Sequence, residues 1–175
     1  MNPLLKVAVL GGALSVGAGA GPAALAQSWT FGLFGDLAYQ SDRETLMQNV
    51  VDDMNRTPMN FVAHVGDLGS PRQGSCSDAL VMKRFEQFNT ATNPTIYTPG
   101  DNEWADCHDD QGVKGGNPAE RLAKLRATFF QGDETLGKRK FPLLRQSSDP
   151  KFAKYRENVR WDMGVVTFQI GRAHV

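Results

Sequence analysis

Three apolar runs of strand-like composition in this chain end in Gly-Asp. They are Phe31-Gly-Leu-Phe-Gly35-Asp36, Phe61-Val-Ala-His-Val-Gly66-Asp67 and Thr95-Ile-Tyr-Thr-Pro-Gly100-Asp101-Asn102-Glu103. Helix-like segments separate them. In an open α/β sheet, ligands bind outside the carboxyl ends of the strands. Three parallel strands that each stop on an acid therefore aim their carboxylates at one patch. Clustered carboxylates repel one another, so such a patch calls for cations, and oxygen-rich sites suit hard or borderline metal ions. A lone Gly-Asp is a common turn; three on successive strands are much harder to obtain by accident.

The pattern between these runs predicts an α/β fold. Ser28 to Gly35 reads as a buried strand. Ser41-Asp-Arg-Glu44 forms a capping box, with Ser41 as N-cap and Glu44 at the third helical position. Leu46, Met47, Val50, Val51 and Met54 follow at three-four spacing, and the helix should end before Thr57-Pro58. Phe61 to Val65 is the second strand. Ser77 is expected to cap a helix whose apolar face is Leu80, Val81, Phe85 and Phe88. Thr95 to Thr98 is a short third strand, followed by a long polar loop from Gly100 to Asn117. Asn117-Pro118 opens a third helix with Leu122, Leu125 and Phe129, closed by Gly132. Asp133 to Arg160 reads as polar and irregular, with Lys138-Arg-Lys140 a solvated surface, and Val165 to Phe168 as a fourth strand. The alternation argues a parallel core sheet in a single domain.

The two ends read differently. Lys6, the apolar stretch Val7 to Ala20 and the A-x-A site Ala24-Leu25-Ala26 have the layout of a signal peptide spanning residues 1–26, so secretion or a periplasmic location is expected. The apolar stretch is short for a membrane span, and no membrane attachment is expected after cleavage. Ile170-Gly-Arg-Ala-His-Val175 matches what a common sequencing adapter encodes, so residues 170–175 are expected to be adapter-derived and residues 27–169 a truncated domain. With 19 basic and 19 acidic residues, the chain lacks the basic excess of a nucleic-acid binder. Cys76 and Cys107 are the only cysteines. In an oxidising compartment an even pair reads as one disulfide, and this one would tie together the loops flanking the acidic patch.

The three blocks, in this order, resemble the calcineurin-like metallophosphoesterases, including the purple acid phosphatases. That family's first motifs are Asp-x-His, Gly-Asp-x-x and Gly-Asn-His-(Asp/Glu), each at a strand end. The resemblance covers about residues 28 to 104, the amino-terminal half of such a domain. It implies a metallophosphoesterase-type layered α/β sandwich, incomplete, with its parallel β-α-β-α-β-α half present. It also implies two divalent or trivalent metal ions (Mn, Fe or Zn) and a small-molecule or nucleotide phosphoester as substrate. Asp36 would ligate the first metal and Asp67 would bridge two ions about 3.5–4 Å apart. The third block would supply an oxygen to the second ion, through Asp101 if aligned strictly or through the Asn102 amide.

The departures from the family pattern are specific. Ala38 stands where the first motif has histidine, with Tyr39, a candidate ligand, one position later. Purple acid phosphatases use a tyrosine ligand, but theirs follows the second aspartate. Asn102 stands where the family has the histidine that protonates the leaving group. A neutral amide is no general acid, so the chemistry would need another donor or a good leaving group. The family's later histidine motifs are absent. His64, inside the second strand, reads as a core residue. His108, in the loop after Cys107, is a candidate for a substrate-facing catalytic role, and Trp104 either walls the pocket or fills the core beneath it.

The expected function is an exported metal-dependent phosphoester hydrolase that activates a water between two metals. The alternative is a non-catalytic exported domain that keeps the scaffold with a degraded site, for which Ala38 and Asn102 speak. A nucleotide-binding α/β domain is disfavoured, because neither a G-x-G-x-x-G nor a P-loop element is present. The segment itself is expected to be inactive, with one face of its sheet lacking a covering layer.

Overall fold

All four residues of Phe61–His64 are buried, as a central parallel strand covered on both faces requires. This strand, β2, lies between and parallel to β1 (Phe31–Phe34) and β3 (Thr95–Tyr97). The register sets Phe31 opposite Phe61, Phe34 opposite His64, and His64 opposite Tyr97. The three Gly-Asp segments therefore leave the sheet side by side at its carboxyl end. The computed structural model describes residues 28–108 and 116–171. The expected leader over residues 1–26 lies outside the described residues, as do residues 172–175 of the expected tail 170–175. No helix among the described residues is long and apolar enough to cross a membrane.

Helices cover one face of this sheet. They are α1 (Glu44–Arg56), α2 (Asp78–Thr90) and α3 (Pro118–Phe129). Met47 and Val51 from α1, Val81 and Phe88 from α2, and Leu125 and Phe129 from α3 join Tyr97 of β3 in one buried cluster. Two of the predicted caps form. The Ser77 side chain accepts Leu80 N–H, and Asn117 Oδ1 accepts Ala119 and Glu120 N–H ahead of Pro118. The start of α1 departs from the expectation, with Arg43 at the N-cap position and no side-chain cap there. A 3-10 turn, Ser41–Arg43, leads into α1, and Glu44 instead accepts hydrogen bonds from Arg84 and Lys83 of α2. The Arg84 guanidinium engages both Glu44 oxygens, a bidentate charge-assisted pair of the strong kind. Gly132 does not close α3 either; the helix ends with Phe130 as its C-cap. The Gly132 carbonyl accepts Arg145 Nε–H, while Arg156 donates to the Phe130 and Gln131 carbonyls.

The opposite face is covered over β2 and β3 by a second sheet. Strands β4 (Leu144–Arg145), β5 (Val159–Met163) and β6 (Val166–Ile170) are antiparallel in that order. Leu143, Val159 and Trp161 pack on Phe61, Ala63 and Ile96. Trp161 meets Phe61 edge-on at 5.1 Å, and Phe168 meets Phe31 at 5.8 Å. One expectation is corrected here and a second in part. The segment from 133 to 160 is not simply irregular, and the parallel sheet is covered over β2 and β3, whereas Phe31 and Leu33 of β1 on the same face stay exposed, as the expectation of a missing layer has it. The fourth strand expected at Val165 to Phe168 is β6; Val165 itself is exposed in the β5–β6 turn, and Ile170 pairs with Val159. The basic run is exposed, as expected, and Arg139 within it also makes tertiary contacts. Arg139 donates to the Asn93 side chain and to the Met59 and Thr92 carbonyls, pinning the chain across 46 to 80 residues of sequence. The molecule is thus a mixed α/β structure, with a parallel three-stranded sheet between a helical layer and a second sheet.

Candidate metal centre

The glycines of the three Gly-Asp segments are required by close backbone approach. A Cβ on Gly66 would lie 2.5 Å from Gly100 N, and one on Gly100 would lie 1.9 Å from Asp67 Oδ1. The strand ends therefore stack backbone against backbone, and the acids follow at fixed spacing. Asp36 and Asp67 both take left-handed backbone, with φ of 56° and 61°. Such φ values are uncommon for a non-glycine residue, and strained positions of this kind cluster at functional sites.

The two aspartates converge on one phenol. The Tyr39 hydroxyl oxygen lies 2.7 Å from Asp36 Oδ1 and 2.6 Å from Asp67 Oδ2. Asp67 Oδ2 also accepts Asn102 Nδ2–H at 3.2 Å, and its Oδ1 accepts the backbone N–H groups of Asp101 and Asn102 at 3.2 and 3.4 Å. Burial raises the pKa of Asp67; the Tyr39 hydroxyl and the Asn102 N–H oppose this, while the neighbouring Asp101 carboxyl adds to the rise. Burial, then the hydrogen bonds and charges of Asp67 and Asp36, hold the Tyr39 phenol well above its ordinary value.

The third block divides its labour. Glu103 is fully buried and does not reach the cleft. Its Oε1 accepts Tyr97 Oη–H and Gly100 N–H, both at 2.7 Å, and its Oε2 accepts Leu68 N–H at 3.2 Å. It staples the second Gly-Asp turn to the third, so its carboxylate serves the turns and not the cleft. Burial raises its pKa in spite of these three donors. The Asn102 carbonyl accepts Ser75 Oγ–H at 2.6 Å. Beside it, Cys76 and Cys107 form the expected disulfide, with Cα atoms 5.7 Å apart. Ser75 went unnoticed in the sequence, although its place immediately before Cys76 was a signal that it lies at the site.

The remaining residues fall as follows. His64 is fully buried beneath the second turn, its Nδ1 accepting Gly66 N–H at 3.2 Å. Trp104 packs against the helix-side core. His108 sits one residue past the disulfide, with its backbone N–H on Asp106 O, and its loop continues into residues outside the described ones. The structure therefore gathers Asp36, Tyr39, Asp67, Asp101 and Asn102. It places His64, Glu103 and Trp104 behind them.

The donor set suits a hard or borderline cation. Tyr39 has one proton, yet its oxygen is within hydrogen-bond distance of two carboxylates. The second contact needs another proton or a cation. No Lys, Arg or His among the described residues forms an ion pair with Asp36, Asp67 or Asp101. Carboxylate, phenol and amide oxygens are the ligands that oxygen-seeking ions take. Among the described residues, no group of three or more His, Cys, Asp or Glu side chains is gathered to hold a metal. Asp36 and Asp67 meet at a phenol, the Asn102 amide joins them at Asp67, and Asp101 adjoins Asp67 through its backbone N–H. No known protein family, curated protein or solved structure matches the chain.

Proposed function

We propose that this chain belongs to an exported metal-dependent phosphoester hydrolase, a phosphatase or phosphodiesterase, built on a metallophosphoesterase-type layered sandwich. The observation that carries the reading is the convergence of Asp36 and Asp67 on the Tyr39 hydroxyl at the carboxyl end of a parallel sheet. Asp36, Asp67 and Tyr39, with Asp101 or Asn102, would hold two ions drawn from Mn, Fe and Zn. Bound there, such ions supply Lewis-acid polarisation of a phosphoryl oxygen and a water acidic enough to act as nucleophile. The chain's own part is to orient. Gly66 and Gly100 set the spacing of the acids, and Asn102 holds Asp67 through both its amide and its backbone N–H.

A second reading has one specific observation behind it. The Asn102 amide is engaged by Asp67, where the resembled family has a proton-donating histidine. That favours a non-catalytic domain on the same scaffold. Metal analysis after reconstitution with Mn, Fe and Zn, followed by an aryl phosphate assay, separates the two. About two ions per chain with turnover supports the hydrolase. Bound ions without turnover favour the scaffold, and no ions at all would remove the metal centre.

A further inference from the structure

Beneath the second Gly-Asp turn lies a histidine that the proposed chemistry does not use. His64 is fully buried, and its ring lies 4.7 Å edge-on to Phe34 and 5.0 Å from Phe88. Its Nδ1 accepts Gly66 N–H, while its Nε2 has no hydrogen-bond partner among the described residues. An imidazole whose Nδ1 accepts carries its proton on Nε2. Burial, assisted by the Arg84 charge, pushes its pKa down to about 3, so the ring is neutral at ordinary pH.

For packing alone, Leu or Phe would serve better, because a buried N–H without an acceptor forfeits its hydration. What the imidazole adds is an acceptor at one place. The Gly66 peptide that it grips also matters on its other side, since the Gly66 carbonyl accepts Asp36 N–H at 3.2 Å. Gly66 and Asp67 are consecutive residues of positive φ, at 107° and 61°. A single imidazole thus stands at the root of both acid-bearing turns.

We propose that His64 is a positioning residue, which by accepting Gly66 N–H fixes the corner that turns Asp67 onto Tyr39 and presents the Gly66 carbonyl to Asp36. Its link to metal rests on the reading of Asp36 and Asp67 as metal-holding carboxylates. The corner itself does not. Asn at position 64 can offer its Oδ1 near the place of Nδ1; Leu cannot.

The test uses the full chain in three forms, wild type, His64→Asn and His64→Leu. Nitrogen-15 NMR of the wild-type imidazole is expected to show the neutral Nε2–H form throughout pH 5–8. The Gly66 amide should exchange slowly in the wild type and in His64→Asn, and at least about tenfold faster in His64→Leu, all without metal. Zinc affinity by calorimetry should stay within about threefold of wild type in His64→Asn and fall at least about tenfold in His64→Leu. An Nδ1–H or charged imidazole would overturn the proposal, as would rapid Gly66 exchange in the wild type. Zinc binding in His64→Leu equal to wild type would overturn its link to metal. If His64→Leu does not fold, the tautomer and the Asn variant still decide. Failure of the wild type to bind zinc would instead count against the metal reading, with the exchange data left to judge His64.

Discussion

The hydroxyl oxygen of Tyr39 lies 2.6 Å from Asp67 Oδ2, and Asp36 Oδ1 approaches it from the other side at 2.7 Å. Three oxygens that would each bear charge if ionised meet here with one phenolic proton among them. Removing either Asp67 or Tyr39 therefore breaks the proposed centre in different ways.

Asp67→Asn keeps the shape and deletes a carboxylate. Its affinity for Mn2+ or Zn2+ is expected to fall more than roughly 100-fold, while Tyr39→Phe, which deletes a proposed ligand oxygen but no carboxylate, costs roughly 10-fold or more. Calorimetric titration reads both, with circular dichroism as the control for folding. Asp67→Asn binding as tightly as wild type would remove it as a ligand.

Gly100 and Gly132 make a matched pair. A Cβ at Gly100 would lie 2.3 Å from Asp67 N, whereas one at Gly132 meets nothing within 4 Å. Gly100→Ala should cost about 2 kcal/mol or more and displace Asp67, while Gly132→Ala stays within about 0.5 kcal/mol of wild type. Urea unfolding of both variants provides the measurement.

Acid should unpick the joint between α1 and α2. Hydrogen bonds from Arg84, with help from Lys83, hold Glu44 down at about 2. A depressed carboxylate stabilises the fold above its unfolded value near 4.3 and ceases to do so as the pH drops toward 2. The contribution is on the order of 2–3 kcal/mol, reduced because Glu44 is partly exposed. Glu44→Gln should flatten the stability profile between about pH 5 and pH 2; an unchanged slope in urea titrations would assign the dependence elsewhere.

Reduction should loosen the wall of the cleft. Cys76 and Cys107 are 31 residues apart, and opening a loop of that size costs about 3–4 kcal/mol in the chain-entropy account. The double Cys→Ser variant should unfold at correspondingly lower urea, and a thiol assay of the native protein should find none free.

Several of these features were legible in the sequence. The three Gly-Asp ends, the caps at Ser77 and Asn117 and the cysteine pair are local patterns with local causes. The second sheet was harder to see. Strand β4 has two residues, too few to carry a period. In β5, however, Val159, Trp161 and Met163 alternate with Arg160 and Asp162, a period of two that the surrounding polarity masked. Glu44 illustrates a different limit. Its spacing from Ser41 fits a capping box, yet Arg84, 40 residues away, takes the carboxylate. Arg139 and Glu103 show the same thing, since partners set by tertiary folding leave no mark on nearby residues.

The seating of Leu143, Val159 and Trp161 on the β1–β3 layer also bears on how the protein can be handled. Trimming it back to the acid-bearing strands and their helices would strip the lid from Phe61, Ala63 and Ile96. The product would be a sticky aromatic slab prone to precipitation, not a miniature of the cleft. Anyone seeking a smaller expressible piece must keep the chain through Phe168.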